Sequence, residues 1–258
     1  MSETVKPGQP DHPPLRLKRV PAPSNGSGLL NSWLPCRRCE DSQSDKTPIH
    51  GWDDVPLNPY ERLGIELSEY PYENLSKRSR GHPRDPDTLD RDRRAIGAGG
   101  TCFSLVNLGA KRARELGLDP RFYLGERPDG PDRHCVLGFP GADVFLDPGY
   151  LCFRPLPLHP SGPVAVRRIH NVLHLKPEED STLRVSTERK GQKTWRYTLR
   201  TRPVSRNRFE RAWVESFQWE SVMNSLVLTR LTPRGMLCYM NGRLEAVTRE
   251  ERRRIAPD

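Results

Sequence analysis

The 258-residue sequence lacks long apolar segments. No apolar run approaches the roughly 18 residues that indicate a transmembrane helix, and the N-terminus has no hydrophobic signal-peptide region. Hydrophobic residues make up only 34% of the chain, and the mean hydropathy is −0.76. A sizeable part of the chain is therefore not expected to lie in a core. We predict a soluble protein that is neither secreted nor membrane-bound, with the cytoplasm as its location.

Cysteine is also scarce, with six residues in the chain. This number does not make a disulfide framework in a protein of this size. Cys36-Arg37-Arg38-Cys39 is the one Cys-x-x-Cys pair, and His50 offers a third ligand. A structural zinc site needs four ligands, so we expect a surface thiol pair there and no metal.

The charge balance is basic, with a net charge of +9 and a pI near 9.5. Such a balance is compatible with nucleic-acid binding. However, the basic residues are scattered and mixed with acidic ones, as in Arg91-Asp92-Arg93-Arg94, and no nucleic-acid motif is present. We interpret the excess as a solvated surface that can steer an anionic substrate, and predict no nucleic-acid partner.

Three segments are interpreted from composition and spacing. Residues 1–56 are rich in Pro and Ser and are expected to be a disordered extension. Residues 76–94 are charged and contain Asp-Pro, and are predicted to be a solvated loop. His170 and His174 fall in a β-rich stretch, where four residues span about 13 Å, so both are interpreted as ordinary strand residues.

The segment Gly99-Gly100-Thr101-Cys102-Phe103-Ser104 opens the clearest helix. Apolar or small residues recur from Cys102 onward at helical spacing, and Gly117 stands at a C-capping position. Two glycines allow a sharp turn before the helix. Cys102 would then lie in the first turn, where the helix dipole favours a thiolate. A lone cysteine is more often a buried structural residue, so a reactive thiol is predicted only if a base and an orienting group occur downstream.

A hairpin downstream brings a histidine near an aspartate. Pro140-Gly141 is a turn signal between two apolar runs. A loop centred on it pairs Leu137 with Val144 and His134 with Asp147, and opposed side chains share a face. An imidazole that accepts a thiol proton, oriented by a carboxylate, is what thiol acyl chemistry requires. The order Cys102, His134, Asp147 therefore predicts a catalytic triad.

These residues also carry a family resemblance. The relevant segments are Pro71-Tyr72-Glu73-Asn74-Leu75, Gly99-Gly100-Thr101-Cys102-Phe103, Asp147-Pro148-Gly149-Tyr150 and Leu231-Thr232-Pro233-Arg234-Gly235. In this order they resemble motifs of the arylamine N-acetyltransferases, within the transglutaminase-like Cys-His-Asp proteins. Departures from the family pattern are Ala98 in place of an arginine, Ser104 in place of an acidic or amide residue, and the absence of a Ser/Thr-rich loop after Asn224.

The resemblance implies an α+β fold of the cysteine-proteinase-like type. Residues 57–118 would form a helical subdomain with the nucleophile, residues 119–204 an antiparallel β-barrel-like subdomain with His134 and Asp147, and residues 205–258 a truncated α/β lid. It also implies acetyl-CoA as co-substrate, an amine or hydrazine as acceptor, and no metal. Substrate-binding positions would be Tyr72, Phe103, Gly149 and Tyr150, with the Phe103 backbone N–H as an oxyanion-hole donor.

Two alternatives remain compatible with these residues. One is a transglutaminase-like hydrolase or amide-forming enzyme that uses a different acyl donor. The other is a binding protein that retains the fold with a weakened site.

Overall fold

The structure is a computed structural model that describes residues 57–219 and 223–256. The predicted extension of residues 1–56, with Cys36 and Cys39, lies outside these residues. The described ranges contain five α-helices: α1 (Pro59–Ser68), α2 (Leu75–Arg80), α3 (Pro86–Ile96), α4 (Cys102–Glu115) and α5 (Arg206–Glu215). None of these helices has the length and apolar character needed to span a membrane.

The first helix, α1, is defined by its N-terminal residues. Asn58 accepts a hydrogen bond from the Glu61 backbone N–H, and the Glu61 side chain accepts one from the Asn58 N–H, which forms a capping box. Pro59 occupies the first helical position, where its missing N–H costs nothing. Leu63 and Leu67 are fully buried, so one face of α1 packs on the core.

The predicted loop at residues 76–94 is wrong, because most of this segment is helical. The Asp85 side chain caps the start of α3, Pro86 follows at its first position, and Gly97 ends it in a left-handed conformation. Gly81 ends α2 in the same way. These start and stop signals are present in the sequence, but the high charge of the segment concealed them.

The central helix, α4, begins at Cys102 as its spacing predicts. Its residues from Cys102 to Ala110 are all buried, so it runs through the core and not along the surface. A Cβ on Gly109 would lie 3.0 Å from side-chain atoms of Leu67 on α1 and Leu137 on the sheet. The lack of a side chain at Gly109 therefore lets both elements approach the helix closely.

An open antiparallel sheet of eight strands packs against α4. The strands are β2 (Arg121–Arg127), β3 (Gly130–Phe139), β4 (Val144–Asp147), β5 (Cys152–Pro157), β6 (Val164–Arg167), β7 (Val172–Glu178), β8 (Thr182–Arg189) and β9 (Gln192–Arg200). Their spatial order is β5-β4-β3-β2-β9-β8-β7-β6. The chain is therefore α+β with a barrel-like sheet, as predicted.

The β3–β4 hairpin has a different register from the predicted one. Leu137 pairs with Leu146, and not with Val144. A 3-10 turn at Pro140–Ala142, followed by Asp143 in a left-handed conformation, lengthens the connection. Because the shift is two residues and side chains alternate with a period of two, the predicted faces are preserved.

A second sheet consists of β1 (Tyr72–Glu73), β10 (Val227–Thr232), β11 (Gly235–Met240), β12 (Arg243–Val247) and β13 (Arg252–Ile255). Their spatial order is β1-β10-β11-β12-β13. β10 and β11 form a hairpin around Pro233-Arg234-Gly235, and the basic strand β13 pairs with β12. The short strand β1 joins this sheet beside β10.

Candidate active site

The turn before Cys102 is built by close backbone contacts. The Gly100 N–H donates to the Pro71 carbonyl at 3.2 Å, and the Glu73 N–H donates to the Gly100 carbonyl at 3.1 Å. A Cβ on Gly99 would lie 1.7 Å from the Pro71 oxygen. Only glycine allows this approach, so the two glycines fix the point at which α4 starts.

An arginine reaches this turn from another part of the chain. Arg84, in the connection between α2 and α3, donates to the Gly99 carbonyl and pairs with Asp92 at 3.0 Å. Its side chain is only 3% exposed. This chain has Ala98 where the resembled family has an arginine, and Arg84 brings a guanidinium to the same turn. The solvated loop predicted for residues 76–94 gave no indication of this buried arginine.

The N-terminus of α4 has no side-chain cap. Thr101 is the N-cap residue, yet its side chain makes no capping hydrogen bond, and its buried Oγ1 has no partner among the described residues. The first N–H groups of a helix have no intrahelical acceptor. The Phe103 N–H is one of these groups, so it can donate to a negative charge that develops beside Cys102.

His134 and Asp147 form a buried hydrogen-bonded pair. The imidazole Nε2 lies 3.0 Å from Asp147 Oδ1, and the two side chains are 2% and 1% exposed. Asp147 accepts further hydrogen bonds from the Tyr150 N–H at 3.1 Å and the Tyr197 hydroxyl at 2.6 Å. A buried carboxylate with three donors is held in one orientation, and it fixes the imidazole in turn.

Gly149 brings Cys102 together with this pair. A Cβ built on Gly149 would lie 2.8 Å from Cys102 Cβ, 2.7 Å from His134 Cε1 and 3.3 Å from Asp147 Oδ1. All three side chains therefore surround one small backbone element, the 3-10 turn Pro148–Tyr150. The structure places the three residues of the predicted triad next to one another.

The electrostatics of the site favour a charged thiol. The pKa of Cys102 lies well below its usual range because the Cys135 thiol hydrogen-bonds to it, and His134 and Lys77 stabilise the thiolate against the opposing effect of burial. Burial disfavours a charged His134, but Asp147 and Cys102 outweigh it and raise its pKa to about 9. Together the two shifts favour a thiolate–imidazolium pair near neutral pH.

Lys77 adds a buried positive charge to this region. Its ammonium donates to the Ser216 hydroxyl and lies 4.5 Å from the Phe217 ring centroid and 5.7 Å from that of Trp219. Burial lowers its pKa to about 8. No ion pair involves Lys77 in the part of the chain that the structure describes.

Known proteins resemble this chain in fold. No protein-family model and no curated protein matches the sequence. Among solved structures, the arylamine N-acetyltransferase from Salmonella typhimurium matches with a TM-score of 0.66 at 21% identity, over 79% of this chain and 82% of that chain. The chain has the arylamine N-acetyltransferase fold. The predicted resemblance is thereby confirmed for the fold.

Two further structures with the arylamine N-acetyltransferase fold are informative. The Mycobacterium marinum enzyme in complex with CoA matches with a TM-score of 0.64 at 19% identity, over 77% of this chain and 79% of that chain. The Bacillus cereus enzyme, described as having a unique Cys-His-Glu catalytic triad, gives 0.61 at 15% identity, over 78% and 85%. The carboxylate of this chain is Asp147 and not a glutamate.

The four predicted substrate-binding residues have different environments. Tyr150 is half-buried and makes an edge contact with His134, with ring centroids 5.0 Å apart. Tyr72 is also half-buried, and its backbone forms a bridge with Gly100. In contrast, the Phe103 side chain is 1% exposed and packs in the core. Phe103 can therefore contact a substrate only through its backbone. The same holds for Gly149, which has no side chain.

Two residues that the sequence did not predict complete the candidate active site. Tyr197 lies fifty residues from Asp147, and no local pattern links them. Cys135 follows His134 directly on β3. Its apolar sequence neighbours indicate only a core residue, and not a partner of Cys102. Within the described residues, no group of three or more His, Cys, Asp or Glu side chains is arranged to hold a metal ion.

Proposed function

We propose that the protein is a cysteine-dependent acyltransferase that moves an acetyl group from a CoA thioester to an amine through an acetyl-Cys102 intermediate. The observation that carries the proposal is the contact of Cys102, His134 and Asp147 around Gly149, at the uncapped start of α4. The fold it shares with arylamine N-acetyltransferases, one of them a CoA complex, supports the choice of donor.

The first half-reaction begins with the thiolate of Cys102. It attacks the thioester carbonyl, and the Phe103 N–H donates to the oxyanion of the tetrahedral intermediate. The carbon–sulfur bond to CoA then breaks, and the protonated His134 gives its proton to the leaving CoA thiolate. The acetyl group remains on Cys102, His134 is neutral, and Asp147 keeps the imidazole oriented throughout.

The second half-reaction regenerates the resting pair. An amine or hydrazine attacks the acetyl-Cys102 carbonyl while neutral His134 accepts a proton from the amine nitrogen. Cys102 leaves as a thiolate, which restores the thiolate–imidazolium pair. Tyr72 and Tyr150, both half-buried beside the site, would contact the acceptor.

The connection after Asn224 bears on the acceptor. Only Ser225 and Leu226 separate Asn224 from the start of β10, so the Ser/Thr-rich loop of the family has no counterpart there. Contacts made away from the reacting centre position the acceptor. We therefore expect cleavage of thioesters or activated esters to be measurable, with transfer to simple arylamines weak relative to hydrolysis. This feature favours a hydrolase as the second candidate.

Intact-mass spectrometry after mixing with acetyl-CoA tests the proposal. The unmodified protein should gain about 42 Da, the mass of one acetyl group in a covalent intermediate. Cys102→Ala should gain nothing, and His134→Gln should acquire the adduct far more slowly because the thiol loses its base.

Cys152→Ala is the matched control, since Cys152 is also buried but has a raised pKa of about 12, and it should form the adduct normally. An adduct on Cys102→Ala, or none on the unmodified protein with any thioester or aryl ester, would contradict the acyltransferase assignment. Rapid acetylation of arylamines would instead show that the absent loop has no effect on acceptor transfer.

A further inference from the structure

A cavity of about 380 Å³ lies outside the candidate active site. It is bordered by the end of α1, by β5, by the β6–β7 connection and by the β10–β11 turn, and Cys102, His134 and Asp147 are not among its lining residues. Its volume is within the range of about 300–1,000 Å³ that is typical of small-molecule sites. Apolar side chains form much of the wall, including Leu151, Phe153, Leu156 and Val166.

Arg168 supplies a fixed positive charge to this cavity. Its Nε donates to Asn171 Oδ1 at 2.8 Å, and its Nη1 donates to the Tyr150 carbonyl at 2.6 Å and to Cys152 Sγ at 2.7 Å. These contacts hold the guanidinium in one orientation. They leave its Nη2 group without a protein acceptor within the described residues.

No negative charge from the described ranges balances Arg168. The lining of the cavity contains no Asp or Glu, and Arg168 forms no ion pair in these ranges. Burial raises the pKa of Cys152 to about 12, so its sulfur is a neutral thiol near pH 7. A partly buried guanidinium whose only partners are neutral favours an anion.

His170 adds a second unsatisfied group. It was predicted to be a strand residue, but it lies in the β6–β7 connection, where it lines the cavity. The side chain is 4% exposed, and its Nδ1 has no hydrogen-bond partner in the described part of the chain. Burial and the nearby Arg168 lower its pKa to about 3, so the imidazole is neutral near pH 7 and adds no charge to the wall of the cavity.

We propose that this cavity binds a small organic monoanion, a carboxylate carried on a short apolar chain or ring. Arg168 pairs with the carboxylate, and the apolar wall, together with the neutral ring of His170, covers the body of the ligand. One water molecule occupies about 30 Å³ in the liquid, and at this volume per non-hydrogen atom the cavity has room for roughly a dozen atoms. Octanoate and benzoate are of this size.

Isothermal titration calorimetry of the full chain with octanoate and benzoate tests the proposal without any turnover. The protein should bind at least one of them, while octan-1-ol and inorganic phosphate should bind much more weakly, because the alcohol lacks the charge and phosphate lacks the apolar body. Arg168→Gln should weaken carboxylate binding by roughly 10-fold or more, since charge-assisted hydrogen bonds are the strong ones.

Arg202→Gln is the matched control, because Arg202 is exposed and lies outside the cavity lining; it should bind like the unmodified protein. Ser68→Phe fills the cavity from α1 without removing Arg168, and it should abolish binding even if Arg168→Gln fails to fold. The proposal is overturned if neither carboxylate binds, if octanol or phosphate binds as tightly, or if Ser68→Phe binds octanoate normally.

Discussion

Replacing Gly149 by Ala tests the geometry of the candidate active site most directly. The backbone of Gly149 is not in the left-handed region, so alanine adds no backbone strain, and the effect comes from the new methyl group alone. That carbon would lie 2.7 Å from His134 Cε1 and 2.8 Å from Cys102 Cβ. Ordinary carbon–carbon contacts are about 3.5–4.0 Å, so each of these two contacts must lengthen by about 1 Å.

Two consequences of this displacement can be measured. Overpacking of this kind costs about 1–3 kcal/mol of unfolding free energy, which a domain with a stability of about 5–15 kcal/mol survives. A misplacement of about 1 Å at reacting groups costs about 10²-fold in rate. The rate of acyl-enzyme formation with an aryl ester should therefore fall by about that factor, while chemical denaturation shows a folded protein.

Gly141→Ala provides the control, because a Cβ on Gly141 meets no atom within 4 Å. It should react at the rate of the unmodified protein. An unchanged acylation rate in Gly149→Ala would refute the inference that Cys102 and His134 act together at this point.

Two further substitutions test the surroundings of the site. Tyr197→Phe should lower the free energy of unfolding, measured by chemical denaturation, by about 1–3 kcal/mol, because a buried carboxylate oxygen loses its donor. Tyr123→Phe should be close to neutral, since Tyr123 is also buried but its hydroxyl has no hydrogen-bond partner among the described residues. Lys77→Met should shift the pH midpoint of Cys102 alkylation by iodoacetamide upward, because removal of a nearby positive charge destabilises the thiolate and raises its pKa. The control is Lys111→Met, because Lys111 lies near the C-terminal end of α4 and its side chain is 35% exposed. This variant should leave the midpoint unchanged. Equal shifts in both variants would show that Lys77 has no specific effect.

The sequence predicted those parts of the site that depend on local periodicity. The start of α4 at Cys102 follows from helical spacing and two glycines. The shared face of His134 and Asp147 follows from strand alternation, and it survived an error of two residues in the register. An error of one residue would have separated the two side chains.

Other parts depend on contacts between distant segments and could not be predicted. Tyr197 reaches Asp147 from β9, and Lys77 reaches Ser216 across 139 residues. A different kind of error concerned α3, whose Asp85 cap and Pro86 are visible in the sequence. The charge pattern favours a solvated loop and the capping signals favour a helix. The segment is helical, and charged residues such as Arg84 are buried in the fold.

The pairing of β1 with β10 has a consequence for how the protein folds. Tyr72 pairs with Thr229 in the second sheet, and the Asn74 side chain accepts a hydrogen bond from the Val227 N–H at 2.9 Å. The same short strand holds the Gly99–Gly100 turn through its backbone. Such contacts between segments about 150 residues apart form late, because a long loop must close first. The turn before Cys102 should thus reach its final geometry only after the β10 segment has left the ribosome, so that the proposed nucleophile would become reactive late in synthesis.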